Sequence, residues 1–115
     1  MGLDTFASRV PGTVTLGEED ERAFDGLELC GGIFSGDGGS FRGKIYDELI
    51  LGVTGVSLYQ EWIPPEVVGE MADALETCDP GAVADPPRIP PEVVVELGTF
   101  FRICADRSLG LIGWW

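Results

Sequence analysis

No histidine occurs in the 115 residues, and a single lysine, Lys44, stands beside six arginines. Without an imidazole there is no Ser-His or Cys-His pair to activate a nucleophile. Cysteine is sparse as well. Cys30, Cys78 and Cys104 lie far apart with no CxxC spacing. A three-thiolate metal site would lack a histidine as its fourth ligand, so no metal and no cofactor is implied. An odd number of separated cysteines with no export signal reads as reduced, buried thiols that pack as small hydrophobes. No apolar run approaches the ~20 residues that cross a bilayer. The start, MGLDTFASR, lacks the basic-then-apolar order of a signal peptide, so a cytoplasmic location is expected.

Positive charge is the scarcest commodity. Twenty acids face seven bases, a formal net of −13. A field of that sign repels nucleic acid and anionic lipid, which excludes both as partners. It leaves a solvated acidic surface, adaptation to a salty cytoplasm, or docking to a basic protein.

What is present is ordinary globular material: 44% hydrophobic residues and 23% charged. Residues 1–115 read as one small acidic α+β domain, near the commonest domain size. Met1–Arg9 alternates weakly and predicts a strand that Pro11-Gly12 breaks. Glu18–Phe24 predicts a short helix with an acidic first turn, closed by Gly26. Leu27–Phe34 reads as a second strand, and Ser35–Ser40 as a loop. From Lys44 to Val53 the period changes. Ile45, Tyr46, Leu49, Ile50 and Val53 share one helical face, and Gly55 is placed to end it.

The string IPPEVV occurs twice, at Ile63–Val68 and Ile89–Val94. Aligning Ile63–Cys78 on Ile89–Cys104 gives eight identities in 16 positions, including Glu70 with Glu96 and Cys78 with Cys104. The physical content is a helix start. The second Pro suits the first helical position, where its missing N–H is no loss. Glu follows at the positive end of the helix dipole. Ile before the Pro pair can close on the second Val, as a hydrophobic staple. Helices are therefore predicted over Pro65–Cys78 and Pro91–Arg107, each with a cysteine at the end of its apolar stripe, and CDPGAVADPP between them reads as an irregular connection. The closing LGLIGWW is too apolar for a loose tail and predicts a last strand. The expected fold is a small, mostly antiparallel sheet of the N-terminal strand, Leu27–Phe34 and the C-terminal strand, covered by about three amphipathic helices.

Two stretches carry candidate chemistry. Gly38–Lys44, GGSFRGK, matches the G-x-x-x-x-G-K spacing of a phosphate-binding loop, with Gly38, Gly43 and Lys44 as its residues. Ile45 stands where such a loop needs Ser or Thr, and no second acidic metal contact follows a strand. Paired carboxylates such as Asp47 and Glu48 can serve as acid and base, but in so acidic a chain the pairing has no specificity. Tyr46, Tyr59 and Trp62 read as core or as the lining of a small pocket. The stronger expectation is a non-enzymatic module that docks a basic partner. Its surface would be an acidic helix face, Glu66, Glu70 and Asp73, with Trp62, Trp114 and Trp115 as aromatic anchors.

The blocks MGLDTFASR, ELCGGIFSGDGGSFRGKIYDELI and VTGVSLYQEWIPPEVV span about half the chain. Together they resemble a group of short microbial and phage proteins that begin MGLD-x-aromatic and carry a CGG-F-SG…SFRGK…SLYQEWIPPE pattern. That group has no established activity. The resemblance implies a cytoplasmic microbial protein and no particular catalytic or binding residue.

Overall fold

A computed structural model of the chain describes residues 2–13, 16–27, 39–85 and 88–115. The N-terminal alternation does form a strand, β1 (Asp4–Ser8). It occupies the middle of a three-stranded antiparallel sheet, between β2 (Ser40–Arg42) and β3 (Gly110–Trp114). On one side Thr5 opposes Phe41; on the other it opposes Gly113, and Phe6 opposes Ile112. The C-terminal residues thus supply an edge of the sheet, as their apolar content predicts. β2 departs from expectation, because it occupies a stretch that reads as glycine-rich loop. Three residues are too few to show a period, and only buried Phe41 marks it. The strand expected at Leu27–Phe34 lies, apart from Leu27, outside the described residues.

Five helices are described: α1 (Glu18–Arg22), α2 (Ile45–Thr54), α3 (Pro65–Thr77), α4 (Pro80–Val83) and α5 (Pro91–Asp106). α2 ends at Gly55, whose φ of 78° is a left-handed cap conformation. α1 stops at Arg22, short of Phe24. α4 sits in the connection that reads as irregular. Asp79 caps it by accepting from the Gly81 amide, and Pro80 takes the first turn.

Both IPPEVV strings start helices. Pro64 and Pro90 are extended N-caps, and Pro65 and Pro91 are the first helical residues. Ile63 and Val68 are buried, as are Ile89 and Val94, so each pair lies where a staple would place it. α3 and α5 pack antiparallel. A β-carbon on Gly98 would lie 3.7 Å from Leu75 Cβ, and one on Gly69 would lie 3.9 Å from Ala105 Cβ. Both are ordinary van der Waals distances, so these two points mark where the helices face each other without requiring glycine.

The core lies between the helices and one sheet face. Phe100 of α5 is its hub, 4.8 Å from Phe24, 5.0 Å from Phe41 and 6.0 Å from Phe101 between ring centroids. Burying one such side chain is worth about 1.5–3 kcal/mol, so these four rings carry a large share of the fold's stabilisation. Cys104 is fully buried. Cys78 is only half-buried, at the C-cap of α3, because α3 packs near the surface there. Cys30 lies outside the described residues.

The core's margin is closed by a buried carboxylate. Arg9 Nε and Nη2 donate to Asp20 at 3.0 and 2.9 Å, and Arg107 Nη1 donates to the same group at 3.0 Å. This ties α1 to the end of β1 and the end of α5. Removing both arginines would leave the buried Asp20 carboxylate uncompensated, which is costly. Among the described residues, no helix is long and apolar enough to cross a membrane.

Candidate functional site

The outer edge of β3 is covered by the segment that leads into α3. Ile63 and Leu111 exchange two backbone hydrogen bonds, of 2.8 and 2.9 Å, and the Gly113 amide donates to Gln60 O at 2.9 Å. The glycines of LGLIGWW make this possible. A β-carbon at Gly110 would stand 2.4 Å from the Trp62 ring, and one at Gly113 would stand 2.5 Å from the carbonyl oxygens of Leu58 and Gln60. Gly110 therefore gives Trp62 its seat on the strand, and Gly113 gives passage to the crossing backbone.

Asp47 fixes the start of that segment, accepting from Ser57 Oγ at 2.9 Å and from the Leu58 amide at 2.7 Å. Its carboxylate is thus committed to holding a loop, which weakens the Asp47–Glu48 pair as catalytic apparatus. Across the site, Ser8 Oγ lies 2.9 Å from Val10 O and 2.7 Å from Thr13 O, pinning the Pro11-Gly12 turn. Gly12 has a φ of 87°, which suits glycine.

Between the turn, the crossing segment and β3 lies an open groove of about 670 Å³. Trp62, Trp114 and Trp115 line it, with Ile112 at the strand and Glu61 as its acidic group. Trp114 is 68% exposed and Trp115 51%. Trp115 also meets Tyr59 edge-on, with ring centroids 5.6 Å apart. Tyr46 packs instead against Phe41 and takes no part in the groove. Burial, followed by the nearby Glu96 charge, pushes its phenol up.

The three tryptophans singled out in the sequence thus converge. The acids singled out with them do not line the groove. Glu66, Glu70 and Asp73 are exposed on α3, and Asp73 is engaged with Glu76 in binding Arg102 of α5. Sequence reasoning missed Glu61, although its place next to Trp62 was the available signal. It also missed Gly110 and Gly113, whose spacing in an apolar strand marks close approach.

The base inventory is informative. Each of the six arginines forms an ion pair with an acid of the chain: Arg9 and Arg107 with Asp20, Arg22 with Glu18, Arg42 with Asp4, Arg88 with Asp85, and Arg102 with Asp73 and Glu76. Among the described residues, no base lines the groove.

A second hollow, of about 470 Å³, lies where α3, α4 and α5 meet, lined by Leu75, Cys78, Pro80, Val95 and Ile103 among others. Burial first, then the Asp79 charge, pushes the Cys78 thiol up, which keeps it protonated and a poor nucleophile at neutral pH. At the glycine-rich stretch, Ser40–Arg42 is paired with β1 and the Gly43 amide donates to Leu3 O at 2.9 Å. That pairing and the Gly43 bond commit part of this stretch's backbone to the sheet. Lys44 is exposed at the N-cap of α2, and Gly38 lies outside the described residues.

No family model, curated protein or solved structure matches this chain.

Proposed function

We propose that this chain is a non-enzymatic binding module that docks a basic protein through the tryptophan groove. One observation carries the reading. Trp62, from the segment before α3, and Trp114 and Trp115, from the end of β3, gather around one open groove with the last two more than half exposed. Exposed tryptophan is uncommon on a surface that meets only water, and tryptophan is enriched among residues that dominate binding energy. The surplus of acids, with Glu66 and Glu70 exposed on α3, supplies a long-range field that speeds encounter with a basic surface and fades with salt.

Affinity capture from a microbial lysate at low and high salt tests this, with wild type compared against Trp114→Ala/Trp115→Ala. Both substitutions fall on exposed rings, so the variant should melt close to wild type. The expected result is a basic protein held by wild type at low salt, released at high salt and lost with the double variant. Equal recovery by the variant would overturn the assignment of the groove.

A further inference from the structure

We infer that the group recognised in the groove is an arginine side chain of the partner, stacked on the indoles with Glu61 as its counter-charge. The inference rests on the docking reading above and adds the chemistry of the ligand. Among the described residues, the lining combines three indoles, one carboxylate side chain and no base. An anionic ligand would meet Glu61 without compensation. A purely apolar anchor would cover that carboxylate and strip its water without replacing the lost hydrogen bonds, which is unfavourable. A cation satisfies both halves of the lining, since indole is the best of the aromatic faces for holding one.

Arginine fits better than lysine. Its guanidinium is planar and weakly hydrated, so it lies flat on a ring while its edge donates to a carboxylate. The ammonium of lysine is compact and strongly hydrated, and loses more water on entering such a site. The chain's own arginines do not compete, as each is already paired with one of its acids. At about 670 Å³ the open groove also has room for the backbone flanking the side chain, as an arginine carried on a protein partner requires.

The experiment titrates the full chain, by tryptophan fluorescence and calorimetry at low ionic strength, with three blocked peptides of Gly and Ser. They differ only in a central arginine, lysine or citrulline. Citrulline keeps the shape of arginine without its charge. The arginine peptide should bind, the lysine peptide several-fold more weakly, and the citrulline peptide about tenfold or more weakly, as befits loss of a charge-assisted contact. Glu61→Gln should lower affinity for the arginine peptide about tenfold while leaving the citrulline peptide unchanged. Trp114→Ala should weaken all three. Equal binding of all three peptides, or of arginine and lysine, would overturn the arginine assignment. So would failure of every peptide while tryptophan-dependent capture of a basic protein persists, an outcome that spares the docking reading. If capture itself survives loss of Trp114 and Trp115, the docking reading falls and this inference falls with it.

Discussion

Ile63 and Ile89 open identical six-residue strings, yet their backbones bond to different places. Ile63 exchanges hydrogen bonds with Leu111 of β3, whereas Ile89 exchanges them with Asp85, four residues earlier. The first copy fastens its helix to the sheet and carries Trp62 to the groove beside it. The second closes its own connection and sends α5 through the core. Equivalent positions diverge accordingly. Half-buried Ala74 corresponds to Phe100, half-buried Cys78 to fully buried Cys104, and Glu76 to Arg102. A shared start signal fixes where a helix begins; its remaining residues decide what it supports.

The largest test of that difference is at positions 74 and 100. Phe100→Ala should cost about 3–5 kcal/mol, since it removes the ring that meets Phe24, Phe41 and Phe101 and leaves a cavity. Ala74→Gly should cost only about 1 kcal/mol, the helix-propensity difference. Urea unfolding of the two variants decides it. Comparable losses would mean that α3 bears as much of the core as α5.

What the sequence makes legible follows the same division. Signals built from near neighbours are readable: two proline-started helices, the Ile45–Val53 face that becomes α2, and apolar residues 109–115, most of which form β3. β2 is not, because three residues carry no period and Phe41 declares itself only once Phe100 is above it. α4 is a single turn held by one side-chain cap, shorter than any periodic test can detect. The tryptophans are readable as candidates, but their convergence depends on Gly110 and Gly113, more than forty residues beyond Trp62. Helical spacing groups Glu66, Glu70 and Asp73 on α3 and so offers them as the acidic neighbours of those tryptophans. The groove uses Glu61, which helical spacing does not reach.

A smaller effect would sharpen the comparison by showing where the two helices remain alike. Gly69 and Gly98 sit on the α3–α5 seam, and an added β-carbon at either would rest 3.7–3.9 Å from its neighbour, an ordinary van der Waals distance. Gly69→Ala and Gly98→Ala should therefore each stabilise by about 0.5–1 kcal/mol, through helix propensity, with no penalty from crowding. Thermal melts would reveal the gain. A loss at Gly98 with a gain at Gly69 would show that the seam is tighter on the α5 side.

The smallest effect concerns the one pair of equivalent positions that carry opposite charge and meet each other. Arg102 reaches back to Glu76 and Asp73 across the outside of the seam, and those two bonds hold its guanidinium well above the usual range. Because residue 76 in α3 corresponds to residue 102 in α5, exchanging them should leave the pairing nearly intact. Arg102→Glu alone places a third carboxylate beside Asp73 and Glu76, and should lower the melting temperature slightly at low salt. The double exchange Glu76→Arg/Arg102→Glu should recover it, since Arg at 76 can meet both Glu at 102 and Asp73 three residues away on its own helix. The pair is partly exposed to solvent, so raising the salt concentration should shrink every difference in the series. Should the exchanged protein melt as low as Arg102→Glu, the two positions differ in more than charge, and the resemblance between the helices ends before their last turn.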